Sequence, residues 1–62
     1  MEKKLLKEKE VSQILGIPVM TLQKWRYMRE NIPYVKIGRS VFYKADDVFL
    51  FLEKHTIYPR IH

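Results

Sequence analysis

Val11, Ile14 and Leu15 recur at i, i+3 and i+4, the spacing that lines one face of a helix. Leu6 or Leu5 closes the same face, and Glu8 and Glu10 fall in the first turn, where carboxylates suit the positive end of the helix dipole. The spacing predicts a helix from about Glu8 that stops at Gly16. Ile17-Pro18 follows, and proline at a helix start loses no hydrogen bond. A second helix is expected from about Val19 to Arg29, with Leu22, Trp25 and Met28 inward. Its other face shows Met20, Thr21, Gln23, Lys24, Arg26 and Tyr27. Asn31 can end it in a left-handed conformation, and Pro33 blocks any continuation.

The period then changes. Tyr34 to Ile37 and Val41 to Lys44 are rich in β-branched and aromatic residues around Gly38-Arg39-Ser40, which predicts a β-hairpin. A three-residue loop sets Ile37 against Val41 and Val35 against Tyr43, with all four on one face. A two-residue loop pairs Val35 with Phe42 and Lys36 with Val41. The first register segregates the faces better and is the expected one. A third helix is expected from near Asp46, which either caps it or sits in its first turn. Its inward stripe is Val48, Phe51, Leu52 and His55, which leaves Phe49 and Leu50 off the stripe. Residues 56–62 read as an irregular tail.

Charge changes the picture through its location. The chain has 62 residues and a net charge of +5. Residues 20–45 carry Lys24, Arg26, Arg29, Lys36, Arg39 and Lys44 against Glu30 alone, so this segment holds the whole excess. A local excess of this kind fits a polyanion partner; a solvated basic face is the plain alternative.

Composition removes other classes. With no cysteine there is no disulfide, no thiolate zinc site and no thiol nucleophile. His55 and His62 lack clustered ligands, so no metal site and no cofactor are expected. Asp46 and Asp47 with Glu53 could be imagined as an acid pair, but helix capping explains Asp46 and Asp47 more simply, and a chain this short hardly builds an enzyme pocket of about 300 Å³. No catalytic residue is expected. The longest apolar run, Val48 to Leu52, is far short of the roughly 20 residues that span a bilayer. The first residues lack the apolar stretch of a signal peptide, so a cytoplasmic domain is expected. One domain over 1–62 is expected, with its core at about 5–55.

Two short helices around a Gly-Ile-Pro turn, the second basic outside, predict a helix-turn-helix unit. Such a unit offers its second helix to the major groove, which admits one helix. The hairpin after it would act as a wing, with Arg39 at the tip as a phosphate or minor-groove ligand.

The ordered set Leu5-Leu6, Glu10-Val11, Leu15-Gly16-Ile17, Thr21-Leu22, Trp25-Arg26, Ile32-Pro33, Lys36-Ile37-Gly38-Arg39, Tyr43, Asp47-Val48 and Phe51-Leu52 resembles a known family. It is similar to the small MerR-like winged helix-turn-helix domain of phage and mobile-element excisionases and prophage regulators. The resemblance implies a mainly α fold with a small β-hairpin, in the order α-α-β-β-α. It also implies sequence-specific binding of double-stranded DNA, no enzymatic activity, and a role in directing an integrase or a promoter. Four positions depart from the family pattern. Lys7 stands for the usual Thr or Ser before the first helix, and Pro18 for the usual Ser before the second. Arg29-Glu30-Asn31 replaces the usual Gly, and Phe42 takes a wing position often basic.

The candidate DNA-binding residues are Thr21, Gln23, Lys24, Arg26 and Tyr27 on the second helix, and Lys36, Arg39, Ser40 and Lys44 in the hairpin. Gln reads adenine with two hydrogen bonds, and Lys reaches guanine or phosphate. Arg26 has an alternative as an i+4 partner of Glu30. Trp25 and Tyr43 read as core anchors. Phe49 and Leu50 are either covered by Ile57, Tyr58 or Ile61 from the tail, or form a surface for a second copy or an integrase. The other functional class is a protein-interaction module whose basic face docks an acidic partner. Single-stranded DNA binding is disfavoured because the aromatics read as buried.

Overall fold

The computed structural model describes residues 4–60. Its elements are β1 (Leu5–Lys7), α1 (Glu8–Leu15), α2 (Val19–Met28), β2 (Val35–Ile37), β3 (Ser40–Lys44) and α3 (Ala45–Lys54). This is a mainly α fold with a β-hairpin, as a winged helix-turn-helix requires. One element was not expected. Leu5 and Leu6 do not close the face of α1; with Lys7 they form a strand antiparallel to β3, so the sheet order is β1-β3-β2. Leu6 lies opposite Tyr43 there and joins the core. Ala45 N–H extends the contact by donating to the Lys4 carbonyl at 2.9 Å.

Each helix contributes a narrow apolar stripe. Val11, Leu22, Val48, Leu6, Ile32 and Tyr43 form the buried core, with Leu15, Trp25, Tyr34, Val41, Ala45 and Phe51 packed around it. The stripes are narrower than the periodicity predicts. Ile14, Met28 and Leu52 are exposed at the stripe margins. His55 is exposed too, stacked on the Phe51 ring at 4.2 Å with its Nδ1 against the Phe51 carbonyl. With helices only eight to ten residues long, each fully buries a single residue, Val11, Leu22 or Val48.

The helix ends follow their local chemistry. Lys7 gives α1 no side-chain cap, but its N–H donates to the Glu10 carboxylate at 2.9 Å, one half of a capping box. Gly16 ends α1 at φ 67°. The N–H groups of Gly16 and Ile17 both donate to the Ser12 carbonyl, and the Ser12 hydroxyl donates to the Ile17 carbonyl. Pro18 stands at the N-cap of α2, where its carbonyl accepts from Thr21 and Leu22. Asp46 and Asp47 sit in the first turn of α3 and cap nothing; Lys44 precedes the helix.

The hairpin register differs from the expected one. Val35 pairs with Phe42, Lys36 with Val41 and Ile37 with Ser40, around a two-residue Gly38-Arg39 loop. Positive φ at Gly38 (60°) and not at Arg39 is what a type II′ turn requires. That turn matches the strand twist, and this outweighs the tidier division of faces. Val35, Ile37 and Phe42 therefore lie on the face away from Tyr43, only partly covered.

Candidate nucleic-acid interface

The Gly16-Ile17-Pro18 turn, clamped by Ser12, sets α2 across α1. Leu22 and Trp25 anchor the inner side of α2, and the Trp25 ring meets Phe51 of α3 at 5.7 Å. What remains outward is a contiguous strip at i, i+3, i+4 and i+7: Met20, Gln23, Lys24 and Tyr27, all exposed. Three of these are expected site residues. Met20 is the addition; its spacing places it on this face, but an apolar side chain carries no signal of a polar ligand. Apolar groups do contact the thymine methyl in the major groove.

Thr21 is half-buried on the flank of this strip. Arg26 is placed differently. Its partner is Glu8 on α1 and not Glu30: Nε donates to Glu8 Oε2 at 2.9 Å, and Nη2 lies 3.5 Å from Oε1. The Tyr43 hydroxyl donates to the same Oε2 at 2.9 Å. The Arg26 guanidinium also lies over the Tyr34 ring, 5.8 Å from its centre. Side-chain exposure is 24% for Arg26 and 15% for Glu8, so water only partly reaches the pair. The Glu8 hydrogen bond raises the Arg26 pKa further, against the opposing effect of burial. Burial, and then the bond to Glu8, push the Tyr43 phenol well above its ordinary value. This three-residue connection joins α1, α2 and β3, elements far apart in sequence.

The wing presents Arg39 and Ser40 exposed at its tip. The observed register sends Lys36 and Lys44 to opposite faces of the sheet. Lys36 shares the Val41 side, and Lys44 alternates onto the Phe42 and Leu5 side. The sheet thus puts Ser40 and Lys44 at the two ends of β3 on one face and Lys36 on the other.

Between α2 and the wing, the backbone is unusual. Arg29 caps α2 in the left-handed region (φ 55°), and Asn31 has φ 75°. Ile32 N–H donates to the Glu30 carbonyl at 3.0 Å, which makes Asn31 the centre of a γ-turn of the rare, strained kind. The left-handed helix end falls at Arg29, two residues before the expected Asn31. These residues line an open cleft of about 340 Å³ with Pro33 and Tyr34.

On α3, Phe49 and Leu50 are 57% and 52% exposed. The described part of the tail, up to Arg60, does not cover them. Ile57 is 91% exposed, and the Tyr58 hydroxyl instead donates to the Glu53 carboxylate. Ile61 lies outside the described residues. Among the described residues, no group of three or more His, Asp or Glu could hold a metal, and no helix is long and apolar enough to cross a membrane.

A family model described as a helix-turn-helix domain, of the excisionase-like kind, matches residues 5–56. No curated protein and no solved structure matches the chain.

Proposed function

The chain belongs to the helix-turn-helix domain family, whose members bind DNA, and from that premise we propose that it recognises one double-stranded sequence. In this reading the single domain acts as an excisionase-like recombination directionality factor or a small transcriptional regulator of a mobile element. Met20, Gln23, Lys24 and Tyr27 meet base edges in the major groove, with Thr21 on the flank. Arg39 and Ser40 at the wing tip hold the backbone, with Lys44 on one side of the sheet and Lys36 on the other. The observation that carries this is the exposed α2 strip followed in the same chain by an arginine-tipped hairpin, inside the segment that holds the whole net charge. Phosphate neutralisation supplies affinity there, and the α2 strip supplies discrimination.

Selection of bound duplexes from a random pool, followed by a salt titration, tests the reading. One sequence is expected to be enriched and to bind about a thousandfold tighter than random duplex. Binding should weaken steeply with salt, on the order of one log–log unit per phosphate contact. Equal affinity for all duplexes overturns sequence-specific recognition. Retention of an acidic protein in place of any duplex favours the protein-interaction module.

Uncovered Phe49 and Leu50 support a second element of the reading, a contact with another copy or an integrase on the DNA. Leu50→Glu should then abolish cooperative occupancy of neighbouring sites while leaving single-site affinity intact.

A further inference from the structure

We propose that Glu8 is a specificity-determining positioning residue, which holds the Arg26 guanidinium against α1 and so keeps that cation off the phosphates of any duplex. This rests on the DNA-binding reading above. Arg26 lies three residues from Gln23, beside the exposed strip of α2. Arginine has the reach and the fork to grip phosphate there without regard to sequence. Two fixed partners, Glu8 and Tyr34, occupy it instead. Its Nε and Nη2 face the two oxygens of Glu8 at 2.9 and 3.5 Å, and its plane lies over Tyr34. Glu8 is itself held by the Tyr43 hydroxyl from the core, so the carboxylate cannot swing out with the arginine. Partial burial strengthens such a forked ion pair relative to one in water.

Glu8 therefore has a use beyond the first turn of α1. It subtracts one cation from the basic segment at the place where an unpaired one would raise affinity for every sequence equally. The reading face keeps Gln23, Lys24 and Tyr27, and non-specific grip stays with the wing. Specificity is a difference of affinities, and lowering the wrong one is as effective as raising the right one.

The test is a salt titration of the full chain on its selected duplex and on random duplex. The proteins are wild type, Arg26→Gln, Glu8→Gln and the double variant. Arg26→Gln should leave the log–log salt slope unchanged, whereas loss of a phosphate contact would lower it by about 0.9. Glu8→Gln should steepen the slope by about 0.9. It should also raise random-duplex affinity on the order of tenfold, with a matching fall in discrimination. The double variant should return to the wild-type slope, a reversal that a merely structural role for Glu8 would not produce. A slope lowered by Arg26→Gln, or an unchanged slope and discrimination in Glu8→Gln, overturns the inference alone. If Glu8→Gln does not fold, the Arg26→Gln slope decides by itself. A wild-type chain that binds no duplex overturns the DNA-binding reading and this inference with it.

Discussion

Tyr43 and Tyr27 are the same side chain in opposite surroundings, 2% and 90% exposed. Arg26 and Arg39 repeat the contrast: one is forked onto a carboxylate, the other stands free of the fold at a hairpin tip. Tyr43 and Arg26 belong to the inward-facing half, where α1, α3 and the core sides of α2 and β3 meet and polar groups that leave water find partners. No buried side-chain polar atom among the described residues lacks one. Tyr27 and Arg39 belong to the half made of the α2 strip and the wing, where polar groups stay hydrated. Burying a polar group costs about 1–3 kcal/mol unless it is bonded, so the first half must solve its polar chemistry within the fold. The second half leaves its own open, which is the condition for solving it with a ligand. A small chain therefore separates structure from recognition by where its polar groups find partners, more than by residue type.

The comparison breaks most visibly if a core residue is removed. Leu22 is the inner anchor of α2 and is almost fully buried. Leu22→Ala should destabilise the chain by about 3 kcal/mol, a large fraction of what a domain this small can hold. Urea or thermal melts read this directly, and a loss under 1 kcal/mol would mean α2 is not seated on the core as described.

Substitutions in the open half should spare stability and divide DNA binding into two kinds. Gln23→Ala should relax preference at one base pair by about 1–3 kcal/mol, seen as a changed consensus in selected duplexes. Arg39→Ala should weaken all duplexes by a similar factor and lower the salt slope by about one. If neither changes binding, the assignment of the reading face is wrong although the fold stands.

The paired half has a pH signature. Tyr43→Phe deletes the bond to the Glu8 carboxylate and should cost about 1.5 kcal/mol at pH 7. The raised phenol pKa fixes how that gap changes. Above about pH 10 the unfolded Tyr43 ionises while the folded one stays neutral, so the unfolded chain holds fewer protons. Wild-type stability must then fall with rising pH by up to about 1.4 kcal/mol per unit from this group. The contribution is complete below pH 10 and is lost toward the folded pKa. The gap to Tyr43→Phe should therefore narrow in alkali; a constant gap would show that the phenol is not held neutral.

The same contrast explains what could be read from the chain. The helices, the Gly-Ile-Pro turn and the hairpin were legible because each is announced by residues three or four apart or by a turn pair. Strand β1 was not, because three residues carry no period and their partner is β3, with Leu6 opposite Tyr43. The hairpin register was open because both loop lengths fit the composition, and the conformation of Gly38 decided it. The basic segment was legible as a sum, and Gln23, Lys24 and Tyr27 fell on one strip as the spacing implied. The pairing of Arg26 was not legible, because Glu8 and Tyr43 lie in elements that only the tertiary fold brings together. Local pattern shows which residues share a face, and the fold decides which charges meet.

The smallest expected effect lies on the seam between the halves. Arg29 ends α2 at φ 55° and ψ 46°, with its N–H on the carbonyls of Arg26 and Trp25. A side chain there places Cβ against the following carbonyl, at a cost of about 1–2 kcal/mol, which glycine avoids. Glycine gives back part of this through a freer unfolded chain. Arg29→Gly should therefore stabilise the protein by roughly 0.5–1 kcal/mol net, a rise in melting midpoint of about 2–8 °C. It should also lower the salt slope of DNA binding, because it removes an exposed cation from the basic segment. Gaining stability while losing affinity would place Arg29 with the open half, as a residue whose strain is tolerated for its charge. A melting midpoint that stays or falls would show that the helix end is unstrained, and an unchanged slope would return Arg29 to the scaffold.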